Sequence, residues 1–297
     1  MDGLAASLVV NHTPSLTSSF EGKQVIPQGR AFYKMSGSGN DFVVVDARTT
    51  PPGRLAEPDV VGRICAHGTG VGADGIVFVE LSSQAAVRLV YLNADASRAE
   101  FCGNATLCVT RLAVELGAAN GDSFAIETDS GVVAARMRDG LPEIDLPAVT
   151  DVDAAVASVA PQNGELKIGY ATVGVPHLVI LCRDVETVDV VGRGRPLRSH
   201  PSFPKGLNVN FVSRRPDGRW RYRTYERGVE AETLACGSGS AAVAILLTQW
   251  SEASGVVELE TRSGKTLRVS LQRHGSAWQP SLAGEGRVVF AGHLAEL

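Results

Sequence analysis

The chain repeats itself once, at a distance too long for a solenoid and right for a second copy of a domain. Cys102, in Glu-Phe-Cys-Gly-Asn (100–104), is answered 134 positions on by Cys236, in Leu-Ala-Cys-Gly-Ser-Gly (234–239). Ile-Glu-Thr-Asp-Ser-Gly (126–131) is answered 133 positions on by Leu-Glu-Thr-Arg-Ser-Gly (259–264). One offset held across two separate matches fits two copies of one domain, and with 44% hydrophobic residues the chain can bury a core for each. A length of 297 residues accommodates two such domains.

Within each half the pattern is β-rich with one helix that matters. Residues 41–46, 75–80 and 87–92 read as short strands, and 123–128 with 131–137 as a hairpin about Asp-Ser-Gly. Further strands are expected at 171–182, 207–213, 219–226, 256–261, 266–272 and 287–290. Residues 149–165, rich in Ala, Asp and Pro, read as the connection between halves. After Cys102, apolar side chains at 108, 112 and 116 and at 109 and 113 mark a helix face. Ala241 to Leu247 is apolar all round, so that helix must be buried on every side. In a β-rich domain this means a sheet curled around a central helix. The expected fold is therefore α+β: two pseudo-symmetric domains, each a mostly antiparallel β-barrel around a helix that begins at a cysteine.

Several classes are excluded. Charged residues make up 20% of the chain and the net charge is −4, which is not the basic stripe of a nucleic-acid surface. No apolar run approaches the roughly 20 residues of a membrane span. Five cysteines at irregular spacing (65, 102, 108, 182, 236) argue for reduced thiols in a cytoplasm, not a disulfide framework. Residues 1–30 read as a disordered N-terminal extension, without the apolar core of a secretory signal.

A helix N-terminus presents unpaired N–H groups and a partial positive charge, which lowers a thiol pKa and binds a carboxylate or phosphate. Glycine after each cysteine lets a ligand approach the backbone, and Asn104 and Ser238 add polar groups. Two facing copies would grip one carboxylate and set a sulfur on each side of the neighbouring carbon. Such a pair, resting as one thiolate and one thiol, suits racemisation or epimerisation. Cys65, Cys108 and Cys182 lie in apolar runs and read as core. A thiol redox enzyme would want its cysteines in one short motif, and a passive binder has no need of paired thiols. His177, after Val-Pro, reads more readily as structural. Glu226-Arg227 reads as an ion pair or, through its planar fork, as a carboxylate partner.

Taken in order, Ser-Gly-Asn-Asp-Phe (38–42), Gly-Val-Gly-Ala-Asp-Gly (70–75), Asn-Ala-Asp (93–95), Cys-Gly-Asn (102–104), Pro-His (176–177), Asn-Val-Asn-Phe (208–211) and Tyr-Glu-Arg-Gly (225–228) with Glu-Thr-Leu-Ala-Cys-Gly-Ser-Gly (232–239) resemble the diaminopimelate epimerase family from about Phe32 to near the C-terminus. The resemblance implies a cofactor-independent, metal-free isomerase that interconverts LL- and meso-diaminopimelate in lysine and peptidoglycan-precursor synthesis. It implies a first domain over 31–145 completed by about 284–297, and a second over 146–283. Cys102 and Cys236 would be the acid/base pair, with His177 and Glu226 in support. Gly103, Asn104, Gly237 and Ser238 would hold the α-carboxylate. Asn40, Asn93, Asn208, Glu226 and Arg227 would hold the rest of a small amino-acid substrate. No nucleic acid or membrane partner is implied, and a homodimer is left open. The chain departs from the family at Val175, where Asn often precedes Pro-His, and at Ala96, Ala105 and Leu107. These departures keep a racemase of another amino acid, or a related isomerase on the same fold, as the alternative.

Overall fold

The protein is described from a computed structural model over residues 29–295. Of the N-terminal extension expected at 1–30, residues 1–28 lie outside the described residues. The first half runs β1 (Arg30–Gly37), β2 (Asn40–Asp46), α1 (Pro58–Cys65), β3 (Gly75–Glu80), β4 (Val87–Asn93), β5 (Arg98–Ala99), α2 (Gly103–Glu115), β6 (Phe124–Thr128), β7 (Gly131–Arg138) and β8 (Leu141–Asp145). A short β9 (Val152–Asp153) follows. The second half repeats the order: β10 (Glu165–Val173), β11 (Val175–Cys182), α3 (Val190–Arg198), β12 (Asn208–Arg214), β13 (Trp220–Glu226), β14 (Ala231–Thr233), α4 (Gly237–Gln249), β15 (Val257–Glu260), β16 (Thr266–His274) and β17 (Ala277–Ala283). The final strand is β18 (Arg287–Leu294).

Pairing follows the duplication. β2 and β3 are parallel, as are β11 and β12, and their registers set His177 opposite Asn208 where Phe42 stands opposite Gly75. β4 and β6 are parallel with Arg88 opposite Glu127, and β13 and β15 with Arg221 opposite Glu260. Each of these facing pairs is an ion pair, at 3.0 and 2.6 Å. The halves join where β8 pairs antiparallel with β17. Each half also gives a strand to the other: β9 pairs with β10, and β18 pairs with β1 from Arg30 to Ser36.

α2 and α4 lie in one continuous apolar core, not in a separate core for each half, and the strands of both halves belong to one hydrogen-bonded sheet. Ala241 through Leu247 are fully buried, as an all-apolar helix demands. α1 and α3 pack on the strands of the first and second halves away from that core, each with its own small cluster. Among the described residues no helix is long and apolar enough to cross a membrane.

The expected strand 171–182 is two strands. Gly174, at φ 68°, reverses the chain between Val173 and Val175, so β10 and β11 form a tight hairpin. Such a left-handed position suits glycine. The stretch read as a plain connection, 149–165, contains the crossing strand β9.

Candidate active site

Cys102 and Cys236 are the N-cap residues of α2 and α4, with nearly identical backbone angles of −141°/112° and −137°/108°. The next residues nearly touch: a Cβ built on Gly237 would stand 3.7 Å from the Cα of Gly103. Two helix N-termini therefore abut at the seam, and a helix start leaves its first N–H groups without intrahelical partners. The α2 start is fixed by Thr106, whose hydroxyl donates to the Cys102 carbonyl at 2.8 Å. The Cys236 backbone is held from both sides by Tyr222. Its hydroxyl donates to the Cys236 carbonyl at 2.8 Å and accepts from the Cys236 N–H at 3.2 Å.

The thiols differ from the expectation. Burial pushes the Cys102 thiol up to about 11, against the pull of the Ala105 N–H, with the Glu226 carboxylate adding to the rise. Burial likewise pushes Cys236 up, reinforced by Glu226 and opposed by the Gly239 N–H and the Ser238 hydroxyl. The helix ends do act in the expected direction, but loss of solvent outweighs them. A negative charge on Cys102 also raises Cys236, so the two titrate as neighbours. Glu226 is itself raised, first by burial and also by the charge of Asp74.

Around the α2 end, Asn104 is 2% exposed and donates to Asn40 Oδ1 at 2.6 Å. Asn40 in turn donates to Asp74 at 2.9 Å. Around the α4 end, the Ser238 hydroxyl lies 3.1 Å from His177 Nε2 and 3.7 Å from the Cys236 sulfur. His177 is fully buried, and burial, with the nearby Arg227 charge, drives its pKa down to about 3. It is a neutral imidazole against Ser238.

Asn208 and Arg227 are brought together through the backbone: the Arg227 N–H donates to Asn208 Oδ1 at 2.7 Å. The Arg227 side chain is engaged through Nη1 by the carbonyls of Lys205 and Gly206, at 2.8 and 3.4 Å. Asn93 is less available than expected. Its amide donates to the Ser97 hydroxyl and carbonyl, at 2.9 and 3.3 Å, and so closes the β4–β5 turn. Cys65, Cys108 and Cys182 are buried and unpaired, in the core.

Reading the sequence missed Asp74, Tyr222 and Asn210. Asp74 and Asn210 both lie in recognisable motifs, Gly-Ala-Asp-Gly and Asn-Val-Asn-Phe. Their side chains become meaningful only once parallel pairing puts them beside Asn40 and His177.

The family model for diaminopimelate epimerase matches residues 32–145 and 169–289. The diaminopimelate epimerase of Gemmatimonas aurantiaca is 46% identical over 279 residues, covering 90% of this chain and all of that one. That of Aquifex aeolicus is 37% identical over 280 residues, covering 89% and 98%. Among solved structures, a phenazine biosynthesis protein of the PhzF family from Bacillus anthracis superposes with a TM-score of 0.69 at 15% identity, covering 90% and 99%. A probable proline racemase from Agrobacterium radiobacter superposes with a TM-score of 0.63 at 20% identity, covering 90% and 93%. These two share the fold.

Proposed function

The chain belongs to the diaminopimelate epimerase family, and on that premise we propose that it interconverts LL- and meso-diaminopimelate by a two-base mechanism that needs no cofactor or metal. The observation that carries the mechanism is the abutting pair of cysteine-capped helix starts, Cys102-Gly103 and Cys236-Gly237.

In this reading the α-carboxylate sits against the N–H groups of Gly103, Asn104, Gly237 and Ser238. Fixed donors there stabilise the charge that develops when the Cα–H proton leaves. One sulfur, as thiolate, takes that proton. The other, as thiol, delivers one to the opposite face. The two sulfurs end the turnover with their protonation states exchanged. A raised thiol pKa makes each thiolate scarcer but a stronger base toward a weakly acidic carbon. The substrate ammonium, beside Glu226, supplies positive charge that favours the ionised thiol. Asn40, Asn208 and Arg227 hold the distal amino-acid group, with Asn93 contributing its remaining oxygen. His177 works through Ser238.

The setting follows from the same reading: a step of lysine and peptidoglycan-precursor synthesis in a reducing cytoplasm, where all five cysteines stay as thiols. The partner is a free amino acid, with no nucleic acid and no membrane, and the chain works alone or as a homodimer. One observation favours a second reading. Val175 presents an apolar side chain at the strand start whose counterpart in the first half is Asn40. A racemase for an amino acid without a polar distal group would use the same thiols. Incubating the purified protein with LL-diaminopimelate in D2O, without pyridoxal phosphate or metal, decides between them. Deuterium at one Cα with appearance of the meso form is expected. No exchange on diaminopimelate, with exchange on a monocarboxylate amino acid, overturns the substrate assignment and keeps the chemistry.

A further inference from the structure

We propose that Asn210 is a positioning residue that fixes the tautomer of His177 and, through Ser238, turns a hydroxyl donor toward the Cys236 sulfur; this rests on the reading of Cys236 as an acid/base thiol. The orientation of the Asn210 amide is set by its surroundings. Its Nδ2 lies 3.1 Å from the Leu178 carbonyl, which can only accept, so the NH2 group must face that way. Its oxygen receives the Thr224 hydroxyl at 2.9 Å. The second hydrogen on Nδ2 points at His177 Nδ1, 3.2 Å away.

Nδ1 is therefore an acceptor, and the single proton of the neutral ring sits on Nε2. From there it donates to Ser238 Oγ at 3.1 Å. With its lone pair engaged, the Ser238 hydroxyl has its own hydrogen free for the Cys236 sulfur, 3.7 Å away. The opposite tautomer would draw the Ser238 hydrogen toward the ring and turn an oxygen lone pair at the sulfur, which opposes thiolate formation. Asn210 also lies under the helix start, where a Cβ on Gly239 would meet its oxygen at 2.4 Å and the Cys236 sulfur at 3.1 Å.

The relay exists in one half only. The parallel registers make Phe42 the counterpart of His177 and Val77 that of Asn210, and both are fully buried apolar side chains. Asn104 stands in the place of Ser238 and is held instead by Asn40. Cys236 thus has a directed hydroxyl donor that Cys102 lacks, and the two thiols are chemically unequal.

The tautomer and alkylation measurements use no substrate, so their failure is distinct from failure of the epimerase reading. Imidazole 15N shifts of the full chain near pH 7, with His177 assigned by its loss in His177→Gln, are expected to show the protonated nitrogen at Nε2. Protonation at Nδ1 overturns the proposal, and this measurement needs no Asn210 variant to fold. In a Cys102→Ser background, Asn210→Leu is expected to slow alkylation of Cys236 about tenfold at fixed pH, as loss of a hydrogen bond to a charged group should. Ser238→Ala should slow it similarly, and the double variant no further, because both break one relay. Additive losses would mean that Asn210 acts on packing alone. With substrate, Asn210→Leu should lower kcat about tenfold and leave KM within about twofold; a rise in KM at unchanged kcat overturns the relay.

Discussion

Gly103 and Gly237 meet across the seam with the Cβ position of one only 3.7–3.8 Å from the Cα of the other. Neither carries the positive φ that would exclude a side chain, so what they preserve is space. A methyl group at 237 would come within 2.9 Å of Leu282 Cδ2, and at 103 within 3.3 Å of the same atom. That atom is the end of a flexible side chain and can yield. Gly237→Ala is therefore expected to fold, yet to lose about a hundredfold in kcat/KM, because a displacement of about 1 Å at a positioning site has that effect. Gly103→Ala should lose less. Circular dichroism melts with steady-state kinetics check both; unaltered kcat/KM in Gly237→Ala would remove the helix ends from the site.

Cys102→Ser and Cys236→Ser are each expected to lower inversion by about 10²–10⁴-fold, the usual worth of a positioned acid or base. A hydroxyl is a far weaker acid than a thiol. Each variant should still eliminate a good leaving group from Cβ of a suitable analogue, since that needs one base only. Stereochemical analysis of product by chiral chromatography reads the first, and halide release the second. Full inversion in either variant rules out two bases.

The thiols should be slow to ionise. Burial holds Cys102 near 11 and raises Cys236 as well. The sign is direct: below the pKa, thiolate grows about tenfold per pH unit, so iodoacetamide modification should keep rising from pH 7 to 9. A plateau below pH 8, read by mass spectrometry of the two peptides, would contradict the burial argument.

His177 should make the fold acid-sensitive. Its pKa falls from 6.5 to about 3 on folding. Between those values the unfolded chain binds the proton and the native chain does not. Its contribution is intact above 6.5 and is lost as pH falls toward 3, by up to about 1.4 kcal/mol per pH unit in that window. Urea unfolding at pH 7, 6 and 5 should show the slope, and His177→Gln should flatten it.

Arg227 should govern which substrate is accepted. Arg227→Ala is expected to cost diaminopimelate about ten- to hundredfold in kcat/KM and to leave a monocarboxylate analogue nearly unchanged. Since the guanidinium already leans on the carbonyls of Lys205 and Gly206, Arg227→Lys should recover little. Equal losses on both substrates would assign Arg227 to the reacting centre or the fold.

How much of this was legible in the chain depended on whether the signal was local. The two central helices announced themselves, because Ala241–Leu247 has no polar side to expose and Cys102 opens an i, i+4 apolar face. The hairpin at Asp129-Ser130-Gly131 was equally local. β8 and β17, which join the halves, went unread: each carries a proline, Pro142 and Pro280, and proline argues against a strand unless its missing donor faces no partner. β1 was missed because the buried Lys34 interrupts its apolar pattern; only the fold supplies Asp41 to pair with it. The thiol pKa went astray for the same reason. A sequence displays a helix start, whereas the depth at which it lies depends on strands 130 positions away. Asn210 carries no local signal, because its partner His177 lies across a parallel register that no spacing rule anticipates.

The exchanged strands, β9 onto β10 and β18 onto β1, make the molecule a swapped dimer written into one polypeptide. Neither repeat, cut free, carries the strand that finishes its own sheet, and each carries only one of the two helix-capping cysteines. A single repeat would have to find a second copy before it had either a closed barrel or a site. Fusion of the copies releases the two helix starts from identity, so that one keeps Asn104 held by Asn40 while the other takes Ser238 and an imidazole. A symmetric pair would treat the two faces of a carbon alike; this one is free to tell left from right.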